Sequence, residues 1–175
     1  YKDSKKKSGG YSLECIDPDN LSNDALNWQA TNDVKGGTPA AINSVIGSSP
    51  DNTAIVVLSS FMQSPDTIVV NFNKPMDISS LSDLNNYRLL GTETLLIEVI
   101  PDYPCGRNVK LVLNTLLKAG QKIELELHDL LDVSGNSLAA PIALSMMLPE
   151  QIEAGDVLFN EILFNRIIAP MTLKK

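Results

Sequence analysis

Residues 66–139 alternate apolar and polar side chains in short runs separated by turn residues, and this constrains the fold more than any other feature of the chain. A period of two sends successive side chains to opposite faces of an extended strand, so each run can bury one face and wet the other. DTIVVNF at 66–72 puts Ile68, Val70 and Phe72 on one side. Residues 108–114 do the same with Val109, Leu111 and Leu113, and 121–127 with Ile123, Leu125 and Leu127. Pro65 and Pro75 bracket the first run, since proline cannot donate to a strand ladder.

Further strands follow from the same reading. TAIVVLS at 53–59 is a nearly continuous apolar run, short enough to be a buried strand. Residues 87–90 and 94–100 read as two more strands, with Gly91 as the hinge of a hairpin between them, and 141–148 as the last. Residues 78–86 lose the period of two, and their Ser, Asp and Asn residues predict a short capped helical turn. Gly120 is the natural turn residue ahead of 121–127. The fold class is therefore all-β: an Ig-like antiparallel β-sandwich of about seven strands. About twenty inward apolar side chains, at roughly 1.5–3 kcal/mol each, suffice for such a module without a disulfide.

Charge narrows the function classes. With 14 Lys and Arg against 21 Asp and Glu, the formal charge is −7, and phosphate binding needs clustered cations. The one dense basic run, Lys5-Lys6-Lys7 beside Gly9-Gly10, reads as a solvated hairpin tip. Nucleic acid is disfavoured. No apolar run reaches the length of a membrane-spanning helix. Cys15 and Cys105 show no zinc or redox spacing and read as two unrelated thiols. Paired, they would stabilise by up to about 4–5 kcal/mol on chain entropy alone.

No catalytic constellation emerges. His128 is the only histidine and shares a strand face with Glu124 and Glu126, a solvated polar face rather than a metal site. Ser12, Ser134 and Ser137 lack a plausible triad, and no Gly-rich phosphate loop occurs. Asp17, Asp19, Asn20, Asn23 and Asp24 form an oxygen-rich loop, the weak calcium candidates of this chain, although Asp-Pro-Asp-Asn is also ordinary turn chemistry. Asp129, Asp132 and Asn136 form a second such cluster with the same turn reading. Trp28 with Tyr11 reads as core or inter-module packing. The expectation is a protein that is not an enzyme, with no cofactor and no resident metal.

The motifs also carry a resemblance. Pro65-x-Thr67-Ile68-x-Val70-x-Phe72, the Lys74-Pro75-Met76-Asp77 turn, Asn86-Tyr87-x-Leu89 and Asp132-x-Ser134-Gly135-Asn136 together resemble the bacterial SbsA-type Ig-like domain, over roughly 50–149. That module recurs in S-layer and secreted multidomain proteins. Gly10 to Pro18, Asn27-Trp28-Gln29-Ala30, Gly36-Gly37-Thr38-Pro39 and Asn43-Ser44-Val45 resemble the C-terminal half of a bacterial lamin-tail domain. Gly155 to Asn165 resembles the opening strand of the same domain type. Leu21 and Ala40 depart from that family, as does everything after Asn165.

The resemblance implies three units: 1–49 as the C-terminal part of a lamin-tail-like domain, 50–149 as the sandwich, and 150–175 as an opening strand with a divergent tail. It implies a structural spacer or adhesion module, about 40 Å long from its strand lengths, in a secreted or cell-surface bacterial multidomain protein. Its partners would be other domains of that protein or surface proteins. The alternatives are a calcium- or glycan-binding module, or an accessory domain of a secreted hydrolase whose catalytic part lies elsewhere. One further expectation concerns 156–164, where Val157, Phe159, Ile162 and Phe164 make an apolar strand that unpaired would be an aggregation template. It is predicted to pair with the Tyr11–Ile16 strand, which includes Leu13, in the same chain or a neighbouring one, the latter being strand-exchange self-association.

Overall fold

The computed structural model of the chain describes residues 6–22, 25–150 and 153. Its centre is a seven-stranded antiparallel sandwich: β3 (Val57–Ser64), β4 (Thr67–Phe72), β5 (Tyr87–Leu90), β6 (Leu96–Pro101), β7 (Asn108–Leu113), β8 (Lys122–Leu127) and β9 (Ile142–Met147). One sheet has the order β3-β4-β7-β6 and the other β5-β8-β9. Lettered in chain order, these are sheets ABED and CFG, the strand order of the constant-type immunoglobulin sandwich.

The alternating residues do what their period demands. Ile68, Val70, Val109 and Leu111 from one sheet and Leu125 and Leu127 from the other have no exposed surface. Together with Phe72, Leu113 and Ile123 they form one apolar cluster between the sheets. The break at 78–86 becomes α1 (Ile78–Ser82) and a 3-10 turn at Leu84–Asn86. Asp77 caps α1 by accepting from Ser80 N at 2.8 Å, and Asp83 caps the turn by accepting from Asn85 N at 2.9 Å. Leu81 and Tyr87 carry this segment into the core, where the Tyr87 hydroxyl donates to Leu81 O at 2.6 Å.

Two expectations about the strands require correction. The strand placed at 53–59 begins four residues later and runs to Ser64, and it is a mostly exposed edge rather than a buried strand. It is fixed by a tight turn at Pro65-Asp66, which sets Ser64 opposite Thr67 and draws FMQS into the ladder. Gly91 is not a hairpin hinge, because β5 pairs with β8 and β6 with β7. It lies at φ 65° in the connection that crosses from one sheet to the other.

Both outer strands of the four-stranded sheet are irregular. β3 shifts register between Val57 and Ser59 and between Met62 and Ser64, while β6 shifts between Leu96 and Glu98 and ends on Pro101.

Ahead of the sandwich lies a small lobe built on β1 (Leu13–Cys15) and β2 (Trp28–Ala30), paired antiparallel with Leu13 opposite Ala30 and Cys15 opposite Trp28. Lys6 is not part of a solvated tip. It opens a 3-10 turn, donates from Nζ to Thr31 O at 2.6 Å and lies over the Tyr11 ring.

Candidate functional site

Lys74 opens the Lys74-Pro75-Met76-Asp77 turn and folds its side chain inward, so that the residue is 4% exposed. A buried ammonium is tolerated only when paired and fully hydrogen-bonded. Its Nζ donates to Asp132 Oδ2 at 2.6 Å and to Thr53 O at 2.7 Å, and pairs with Asp51 Oδ2. The Asp51 and Asp132 side chains are 2% and 0% exposed. Asp132 is itself held by Ser134 N at 2.8 Å, Asn136 N at 2.9 Å and Asn136 Nδ2 at 2.9 Å. Asn136 Nδ2 also donates to Asp51 O at 2.9 Å.

The Lys74-Pro75-Met76-Asp77 and Asp132-x-Ser134-Gly135-Asn136 motifs therefore meet in space, with Met76 bridging to Asp132 through the backbone. Both clasp Asp51, which belongs to the segment arriving from the N-terminal lobe. Burial alone would raise the carboxyl pKa values. The ion pair with Lys74 and the hydrogen bond from Thr53 on Asp51, and hydrogen bonds from Lys74 and Asn136 on Asp132, outweigh it and hold both below the ordinary carboxylate value. Burial likewise disfavours the Lys74 charge, but Asp132 and Asp51 hold its pKa above the usual one. All three groups are charged at neutral pH.

A second buried carboxylate organises the lobe. Glu14, 5% exposed, points to the opposite face of β1 from Leu13 and Cys15. Its Oε1 accepts from Thr38 Oγ1 at 2.7 Å, and its Oε2 accepts from Ser44 N at 2.7 Å and Ser44 Oγ at 2.8 Å. Desolvation pushes its pKa up, but hydrogen bonds from Thr38, Thr31 and Ser44 prevail and bring it down to about 2. A carboxylate held by three residues from distant stretches of the lobe acts as its staple.

The sequence-derived calcium candidates scatter among turns. Asp17 Oδ1 accepts from Asp19 N at 3.1 Å, and Asp17 Oδ2 from Ser49 N at 2.8 Å. Asn20 Oδ1 accepts from Ser22 N at 3.1 Å and Ser22 Oγ at 2.6 Å. Their oxygens are thus engaged in local turns and in fastening residue 49 to the lobe. Asp24 lies outside the described residues, as do Val157, Phe159, Ile162 and Phe164. Leu13 is in β1 and 52% exposed. Among the described residues, no group of three or more His, Cys, Asp and Glu is arranged to hold a metal ion.

His128 sits just beyond β8 with Nδ1 3.0 Å from Asp129 Oδ2. Cys15 and Cys105 are free thiols. Trp28 is not in the core: it is 41% exposed and borders a cleft of about 370 Å³ together with Leu13, Cys15 and Pro39. Sequence reasoning took Lys74 and Asp132 as turn formers and overlooked Asp51 and Glu14. The linear pattern holds only a weak signal for the pair, namely that both lysine and aspartate stand in motif turns of the same module.

No family model matches the sequence, and no curated protein matches it. Among solved structures, domains 1–6 of the surface layer protein SbsC superpose with a TM-score of 0.52 at 19% identity, over 59% of this chain and 15% of that one. The N-terminal part of the bacterial S-layer protein SbsC superposes with a TM-score of 0.52 at 19% identity, over 58% of this chain and 25% of that one. The shared property at this identity is the fold, and the chain spans only 15% to 25% of the length of these two structures.

Proposed function

We propose that the chain is a non-catalytic spacer or adhesion module of a secreted or cell-surface bacterial multidomain protein. The reading rests most on one observation, the Asp51–Lys74–Asp132 junction. A buried ion triad between the sandwich and the segment leading from the lobe has a mechanical meaning: it holds the direction in which one unit leaves the other. The fold shared with S-layer protein domains supports the surface location. The units are taken as 1–49, 50–149 and 150–175, and the partners as neighbouring domains or surface proteins.

Small-angle X-ray scattering of the full chain tests the geometric role. One extended envelope with a fixed angle between lobe and sandwich is expected. A curve that needs an ensemble of lobe orientations refutes it. Calorimetric titration with Ca²⁺, together with a glycan array, addresses the competing binding function of the loop containing Asp17, Asp19, Asn20 and Asp24. Saturable heat or a defined glycan hit would displace the spacer reading.

A further inference from the structure

We infer that Pro50 is the pivot between the lobe and the sandwich, and the residue that sets the angle at which they meet. The inference rests on the spacer reading and deepens it, by naming the positioning residue behind the fixed direction.

Hydrogen bonds divide the connecting segment between the two units. No helix or strand covers residues 47–56, so their backbone groups must find partners elsewhere. Those of 47 and 49 find them in the lobe. Gly47 N donates to Ile16 O at 2.8 Å and Ser49 N to Asp17 Oδ2 at 2.8 Å, while Ser49 O accepts from Asn20 Nδ2 at 2.7 Å. From Asp51 onward the partners belong to the sandwich. Asp51 is held through its side chain by Lys74 and through its carbonyl by Asn136 Nδ2 at 2.9 Å. Thr53 O accepts from Lys74 Nζ at 2.7 Å. Asn73 Nδ2 donates to Ala54 O at 3.0 Å, and Asn73 Oδ1 accepts from Val56 N at 2.9 Å. Ile55 is buried in the apolar cluster between the sheets.

One peptide plane is left between these two sets. Ser49 O ties the Ser49–Pro50 plane to the lobe, and the side chain and carbonyl of Asp51 tie that residue to the sandwich. Among the described residues, neither the Pro50 carbonyl nor the Asp51 N–H has a hydrogen bond. The proline ring locks its own φ at about −65°, and its Cδ confines Ser49 to extended ψ. Only ψ of Pro50 and φ of Asp51 stay soft.

A cleft of about 290 Å³ opens at this point, bordered by Asn20, Leu26 and Ser49 from the lobe and by Asn52 and Thr53 from the sandwich. The units thus face each other across open space, and on that side the proline torsion, rather than side-chain packing, resists a swing. Pro50 is itself exposed, so its ring supplies the torsion and no core contact.

Double electron–electron resonance on the full chain tests this. Spin labels go on Val34→Cys, in the lobe and 93% exposed, and on the native Cys105 of the sandwich, with Cys15→Ser as background. The parent should give one narrow distance distribution. Pro50→Gly frees φ and opens its positive half, so the distribution should become about twofold broader. Trp28 emission and far-UV circular dichroism should stay as in the parent, because no packing is lost. The same glycine at Ser48→Gly or Asn52→Gly falls between residues bonded to one unit, and should leave the width unchanged. A Pro50→Gly distribution as narrow as the parent's, an equal broadening by either control, or a loss of circular dichroism in Pro50→Gly overturns the pivot and leaves the spacer reading standing. A parent distribution that is already broad overturns both.

Discussion

Lys74→Met removes one charge while keeping roughly the length and volume of the side chain, and the surroundings set the size of the response. Two carboxylates, 2% and 0% exposed, would face each other with no cation between them. Removing one member of a buried ion pair typically costs about 3–5 kcal/mol, because the charge left behind is uncompensated. Asp132 keeps its hydrogen bonds from Ser134 and Asn136, and Asp51 keeps one from Thr53, so the lower half of that range is expected. For a chain of this size about 3 kcal/mol corresponds to a fall in Tm of roughly 6–12 °C. The pH dependence gives a second handle. In the wild type both carboxyl pKa values are depressed, so their contribution is present above the unfolded value of about 3.9 and is lost as pH falls through the lower folded values. Without Lys74, burial and the facing like charge are opposed only by the remaining hydrogen bonds from Thr53 and Asn136, so both values rise. The variant's deficit should therefore shrink as pH falls from 7 toward 4, because protonation relieves the buried charge. Denaturant unfolding of both proteins at several pH values provides the measurement. A deficit below about 1 kcal/mol at pH 7, or one that grows on acidification, refutes the buried-triad account. Asp51→Asn/Lys74→Met/Asp132→Asn, which removes the charges together, should recover most of the loss.

Three further outcomes are expected. Glu14→Gln replaces an acceptor-only group with one that presents donors to the Thr38 and Ser44 donors, so the lobe should loosen; Trp28, the only tryptophan, reports this as a red-shifted emission. Because the Glu14 pKa is lowered to about 2, wild-type lobe stability should hold above the unfolded value of about 4.3 and decline toward pH 2, and the Gln variant should lack that dependence. Tyr87→Phe strands the Leu81 carbonyl in the core and should cost about 1–3 kcal/mol in thermal or chemical denaturation. Gly106 sits at φ 59°, and an added Cβ would lie 2.7 Å from Met76 O, so Gly106→Ala should destabilise by more than about 1 kcal/mol, while Gly135→Ala at φ 83° meets open space and incurs only the backbone strain.

The sequence revealed most where a strand is central and buried on one face. In β4, β7 and β8 every second residue must be apolar, and a slip of one would turn the whole set outward, so Ile68, Val109 and Leu125 were legible. β3 was less so, because an edge strand is restrained on one side only, and its register follows from the Pro65-Asp66 turn rather than from alternation. Gly91 misled because adjacency in sequence does not show which sheet the next strand joins. The ionic site was harder still. Asp51 and Glu14 stand among polar residues that read as solvated loop, and their burial depends on partners far along the chain. Lys74 and Asp132 were visible as motif residues, but their contact exists only once the two sheets have stacked.

The interrupted outer strands of the larger sheet have one more consequence. Kinked ladders at β3 and a proline at the end of β6 make poor templates for side-by-side stacking. These two edges are thereby guarded against strand addition despite the exposed Leu58, Phe61 and Ile97. Crowding many copies on a surface would therefore not zip their larger sheets edge to edge into one continuous ladder.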